Sequence, residues 1–98
     1  MAEVVLHPLA QREAEEATGW YLDRSVAAGE RFAAALQRLL DGIAENPERH
    51  GWYDDDHREA VMIRYPYHVL YRILDNGNAH VIAIAHASRR PDYWRDRA

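Results

Sequence analysis

The sequence has no cysteine and no lysine among its 98 residues. Without cysteine, disulfides and thiolate chemistry are excluded. Without lysine, all twelve basic residues are arginine, a bias of composition to which no function attaches. No apolar run approaches the roughly 18 residues that cross a membrane. The first residues, Met1-Ala2-Glu3-Val4-Val5-Leu6-His7, lack the basic leader and apolar core of a signal peptide, so a cytoplasmic protein with no membrane partner is expected. There is no nucleophile motif, Gly-rich phosphate loop or spaced metal-ligand set, which argues against most enzyme classes and predicts neither cofactor nor metal. An excess of positive charge is missing as well. The net charge is −4, so direct sequence-specific DNA binding is not expected and any nucleic-acid contact must be local.

What is present is an ordinary globular composition, 48% hydrophobic and 29% charged, in a chain long enough for one domain and too short for two. Residues 1–98 are read as that domain, with no repeat, low-complexity tract or linker. Glu3 to His7 is β-prone and ends at Pro8, a residue suited to the first turn of a helix. From Leu9 to Asp23 the apolar residues Ala10, Ala14, Ala17, Trp20 and Tyr21 recur at helical spacing. Val26 to Gly29 reads as a break, with Ser25 or Gly29 as capping candidates. A second helix follows, its stripe formed by Phe32, Leu36, Leu39, Leu40 and Ile43, and it ends before Pro47. Burying those five side chains stabilises the fold by about 10 kcal/mol before entropy is counted. Glu48 to His57 is a polar loop. Glu59–Arg64, Tyr67–Leu74 and Ala79–Ala85 then read as strands, the first two separated by Tyr65-Pro66 and the last two by Asp75-Asn76-Gly77-Asn78.

Asn-Gly at the tip of a two-residue hairpin sets a register. It pairs Ile73 with His80, Tyr71 with Ile82, Val69 with Ile84 and Tyr67 with His86. Those residues share one side of the sheet, mostly large and apolar, which is assigned to the helices. The other side, with His68, Leu70, Arg72 and Leu74 against Val81, Ala83 and Ala85, is expected to be a shallower, mixed face. A three-residue loop would shift this pairing. The predicted order is β-α-α-β-β-β, an α+β domain with a helical hairpin on one face of a mostly antiparallel sheet.

The last strand runs out into His86-Ala87-Ser88-Arg89-Arg90-Pro91-Asp92-Tyr93-Trp94. Fixed cations, one imidazole and two aromatic rings at a single sheet end suit contact with an anion, a nucleic acid or an acidic protein surface. Plainer readings stand beside that one. Arg89 and Arg90 pair with surface carboxylates, His86 packs on Tyr67, and Trp94 folds back onto the core. Asp54-Asp55-Asp56-His57 with His50 matches no familiar ligand spacing and is read as a solvated loop.

The pieces Phe32-x3-Leu36-x2-Leu39-Leu40, Asn46-Pro47, Gly51, Arg58, Tyr65-Pro66-Tyr67-His68-Val69-Leu70-Tyr71-Arg72-Ile73 and His86-Ala87-Ser88-Arg89-Arg90, taken in order, resemble the RelE/ParE superfamily of toxins from bacterial type II toxin-antitoxin modules. The resemblance spans nearly the whole chain and is closer to the ParE branch, often associated with plasmid stabilisation. It implies a toxin that inhibits DNA gyrase by binding, probes it with His86, Arg89, Arg90, Tyr93 and Trp94, and is neutralised by a cognate antitoxin contacting Leu70, Arg72, Val81 and Ala83. On that reading the protein is not an enzyme. The alternative implied by the RelE branch is a ribosome-dependent mRNA endoribonuclease with His86, Arg89, Arg90 and Tyr93 as catalytic residues. RelE-like nucleases usually carry an arginine within the strand segment that here reads Tyr67-His68-Val69-Leu70-Tyr71, and they are commonly basic. A third alternative is an inactive member that acts only as a binding partner.

Overall fold

A computed structural model describes residues 1–97. The elements are β1 (Val4–Leu6), α1 (Pro8–Leu22), α2 (Val26–Glu45), β2 (Arg58–Val61), β3 (Tyr67–Ile73) and β4 (Ala79–His86). The two helices pack on one face of a four-stranded mixed sheet of order β1-β4-β3-β2. β1 runs parallel to β4, and the other pairs are antiparallel.

The helices begin and end where local chemistry says they should. Pro8 opens α1, and the His7 ring accepts the Leu9 N–H at 3.0 Å. Ser25 caps α2 by accepting the Ala28 N–H at 2.9 Å, so residues 26–29 form the first turn of that helix instead of a break. Gly29 contributes to packing, not to capping: a Cβ there would stand 2.3 Å from Leu22 Cδ2. The absence of that side chain is what lets the helical hairpin close tightly.

Phe32, Leu36 and Ile43 are buried, with Leu39 and Leu40 partly so, and they meet Ala60, Met62, Val69, Tyr71, Val81 and Ile84 of the sheet. At one end of this core Phe32 stacks on Tyr21 (centroids 4.8 Å) and meets Tyr65 and Tyr67 edge-on at 5.0 and 5.4 Å. Such offset and edge-to-face arrangements are favoured by the ring quadrupole.

The β3–β4 hairpin departs from the expected register. Its loop has three residues, 75–77: the Leu74 N–H donates to Asn78 O at 2.8 Å, the Gly77 N–H to Leu74 O at 2.9 Å, and Gly77 takes φ +87°. Near the tip Tyr71 therefore faces Val81 and Ile73 faces Ala79. A bulge between Leu70 and Tyr71 then restores the pairs Val69–Ile84 and Tyr67–His86. Ile82 is the extra residue. A bulge re-aims the side chains around it, so Val81 joins the helix-side core while Ile82 turns to the opposite face beside Leu70, Ala83 and Ala85. β2 is also shorter than expected, because Arg64 lies in the turn at φ +73°.

Candidate functional site

The opposite face of the sheet is not open. Residues 87–97 leave β4 in a series of tight turns, with Arg89, Tyr93, Arg95 and Arg97 each donating a backbone N–H to the carbonyl three residues earlier. This strap lays Trp94, 2% exposed, over Leu70, Ile82, Ala83 and Ala85. Tyr53 and His57 from the polar loop meet the indole edge-on, with centroids 5.5 and 4.8 Å away. The apolar residues that looked like a shallow surface form a second, smaller core. This corrects three of the four expected antitoxin contacts: Leu70, Val81 and Ala83 are fully buried, Val81 on the helix side, and only Arg72 keeps exposed atoms. Trp94 is likewise not a surface residue.

The strap is tied to the domain by a carboxylate that periodicity marks only weakly. β1 pairs with residues 79–81 of β4 and then stops, so the edge of β4 beyond Val81 would hold an unpaired donor at Ile84. Glu13 of α1 fills that gap. Its Oε1 accepts the Ile84 N–H at 3.0 Å and Arg97 Nη1 at 2.8 Å, and its Oε2 accepts the Tyr93 hydroxyl at 2.6 Å and Arg97 Nη2 at 3.0 Å. Arg97 Nη1 also donates to the Ile82 carbonyl at 3.1 Å. Burial works against the charged carboxylate, but the hydrogen bonds from Arg97, Tyr93 and Ile84 outweigh it and hold the Glu13 pKa below the ordinary value. Burial and the bond to Glu13 push the Tyr93 hydroxyl well above the usual phenol range.

A second set of ties lies at the other side of the strap. The Tyr53 hydroxyl donates to Asp92 at 2.7 Å, and Arg95 bridges Asp92 (3.3 Å) and Asp54 (2.8 Å). Burial opposes ionisation of Asp54, but N–H donors of Asp56 and His57 and the His57 ring bring its pKa down to about 2. Two members of the acidic loop, Asp54 and His57, thus serve as internal anchors. Among the described residues no group of three or more ligating side chains converges on a metal position.

Four of the five residues expected to probe a target line the exit from β4. Arg89 and Arg90 are exposed, and the Arg89 guanidinium lies 3.9 Å from the Tyr93 ring centroid. His86 is half-buried, edge-on to Tyr67 at 5.0 Å. Its Nδ1 accepts the Ser88 N–H at 3.0 Å, which leaves the ring N–H on Nε2. A line of contacts therefore runs from Glu13 through Tyr93 to Arg89, fixing where one of the two exposed cations stands. Glu13, Arg97, Tyr53 and Asp92 were not candidates from sequence. Glu13 did carry a signal: it stands three residues after Ala10 and four before Ala17, on the buried stripe of α1.

No helix among the described residues is long and apolar enough to cross a membrane. The profile of the family described as "ParE toxin of type II toxin-antitoxin system, parDE" matches residues 4–91. Comparison with curated protein sequences gave no match. Among solved structures, the chain is similar to one described as "Chromosomal ParDE TA system from P. aeruginosa", with a TM-score of 0.64 and 12% identity over 90% of this chain and 98% of that one. At that identity the likeness speaks for the fold. The family match covers both helices, all four strands and the His86–Arg90 exit, and the chain belongs to the ParE toxin family of type II toxin-antitoxin systems.

Proposed function

We propose that this chain is a cytoplasmic toxin that inhibits DNA gyrase by binding it through the β4 exit, and that a cognate antitoxin neutralises it. The observation that supports binding over RNA cleavage is the state of the exit side chains. Cutting RNA needs an acid or base free to move a proton at the 2′-hydroxyl and cations around the scissile phosphate. Here the Tyr93 hydroxyl is held by Glu13 and shifted away from neutral pH, and its ring carries Arg89. What remains unpaired at the exit is Arg89, held over the Tyr93 ring, and the exposed Arg90 beside it. That is a local cationic contact on a chain of net charge −4, suited to an acidic protein surface.

The test is induction of the chain alone in a bacterial host, with incorporation of labelled thymidine and labelled amino acids followed over the first minutes, and inhibition of purified gyrase supercoiling measured in parallel. An early fall in DNA synthesis, lost in the Arg89→Glu/Arg90→Glu variant, is expected. A fall in protein synthesis first, with cut mRNA, would replace this reading with the ribonuclease one.

A further inference from the structure

We propose that His7, Arg72 and His80, at the hairpin end of the sheet face that carries the strap, form a binding site for a phosphate-type oxyanion, free or carried by a small organic molecule. The site lies at the opposite end of β4 from the Arg89–Arg90 exit. Trp94 and Arg97 of the strap reach along this face as far as Ile82. Beyond Ile82 the register fixes what the face carries. His80 stands opposite Arg72 of β3 on one side and Val5 of β1 on the other. Directly opposed residues share a face, and Leu70, two residues before Arg72, lies on the strap side. The His7 ring follows just after β1, with its centroid 6.1 Å from that of His80. All three residues are half-buried and Val5 beside them is 46% exposed, so a small solute can reach them.

The cluster is rich in donors and short of acceptors. The Nε of Arg72 is buried and has no hydrogen-bond partner among the described residues. Among those residues no carboxylate stands within ion-pair distance of its guanidinium. His7 Nδ1 accepts the Leu9 N–H at 3.0 Å, which places the ring N–H on Nε2. Burial, Arg72 and His7 together hold the His80 pKa below its ordinary value. One guanidinium and two imidazoles are thus crowded together without a counter-charge. A buried donor without an acceptor is costly, and neighbouring like charges add to the cost. An anion seated among the three relieves both at once.

Chemistry narrows the ligand. A metal ion is disfavoured, because Arg72 repels it and among the described residues no group of three or more ligating side chains converges on one position. Donors from three separate segments suit an ion with three or more acceptor oxygens, and the arginine fork binds two phosphate oxygens at once. A carboxylate has only two oxygens to share. A long polyanion is disfavoured as well. Asp56 and Asp75 line the groove next to Arg72, and the whole chain carries a net charge of −4. A single phosphate group meets all of these constraints.

The test uses the full chain. Inorganic phosphate, a nucleoside monophosphate, sulfate and acetate are titrated at constant ionic strength into wild type, Arg72→Gln, His80→Gln and Arg89→Glu/Arg90→Glu, each checked for native circular dichroism. The imidazole signals of His7 and His80 are followed by nuclear magnetic resonance, and affinity by calorimetry. Phosphate is expected to bind saturably, to shift both signals, and to bind about tenfold or more weakly in Arg72→Gln and His80→Gln. The Arg89→Glu/Arg90→Glu variant is expected to bind as wild type does. Tighter binding of the nucleoside monophosphate than of phosphate assigns the site to a carried phosphate, and equal binding assigns it to the free ion. Sulfate keeps its double charge across the neutral range, so its binding isolates the histidines. A bound anion offsets Arg72 and His7 and raises the His80 pKa, so sulfate affinity is expected to rise as pH falls from about 8 to about 6. Acetate binding as tightly as phosphate would overturn the ligand class. Shifts that do not saturate and persist in both Arg72→Gln and His80→Gln, or that vanish in Arg89→Glu/Arg90→Glu, would overturn the site.

Discussion

Replacing Glu13 with glutamine keeps the shape of the side chain and removes the charge on which the strap depends. In the native chain the carboxylate receives four donors: the Ile84 N–H, the Tyr93 hydroxyl and both terminal nitrogens of Arg97. The ion pair is shielded, with Arg97 10% and Glu13 13% exposed in their side chains. Solvent screening therefore reduces it little, and removing one partner of a pair this buried costs about 3 kcal/mol, because the remaining guanidinium is left unpaired. The amide oxygen retains some of the hydrogen bonding, so the estimate stays at the lower end of the range. For a domain of this length about 3 kcal/mol lowers Tm by roughly 12 °C or more. The pH dependence supplies an independent check. The folded pKa of Glu13 lies below its ordinary value, so its stabilisation is complete above an unfolded carboxyl pKa of about 4.3 and is lost as pH falls through the folded value. The gap between wild type and Glu13→Gln is therefore widest near neutrality and closes on acidification below about pH 4. Asp54 also loses its contribution as pH falls, but it does so in both proteins and drops out of the difference. Thermal unfolding followed by near-ultraviolet circular dichroism between pH 3 and pH 7 measures this. A Tm within about 2 °C of wild type at neutrality, on the same scale of degrees per kcal/mol, with a gap that does not change with pH, would refute the latch.

Three further outcomes follow from the same geometry. Gly29→Ala puts a methyl 2.3 Å from Leu22 Cδ2 and 3.1 Å from its Cα, and forced separation of the helical hairpin is expected to cost about 1–3 kcal/mol in urea unfolding. Trp94→Ala empties the second core and is expected to cost about 3–5 kcal/mol, with the amides of Leu70 and Ala83 losing hydrogen-exchange protection. Arg89→Glu/Arg90→Glu reverses two exposed charges and is expected to leave Tm within about 2 °C, as surface substitutions do, while abolishing gyrase inhibition; a variant that still inhibits gyrase would move the contact elsewhere.

Local rules reached far into this fold. Pro8, Ser25 and Pro47 bound the helices because each acts on backbone geometry or donors within a few residues of itself. The stripe from Phe32 to Ile43 faces the sheet because helical periodicity is a property of the chain alone. The family resemblance was legible for the same reason, carried by residues in order along the sequence. The hairpin register was legible only beyond the bulge. Asn-Gly permits a two-residue or a three-residue loop, and the choice moved Val81 and Ile82 to opposite faces.

The sequence by itself determined the element order, the helix-facing stripe, the side of the sheet taken by β3 and the cationic exit at Arg89 and Arg90. Tertiary structure decided what covers the other face. Glu13 and Arg97 stand 84 residues apart, and no local pattern says that β1 stops short enough to leave the Ile84 N–H in need of a carboxylate. A polar side chain is placed in the interior by donors brought from distant segments. That is why Trp94 is core, why Tyr93 is an anchor, and why Arg89 stands over the Tyr93 ring at the exposed exit beside Arg90.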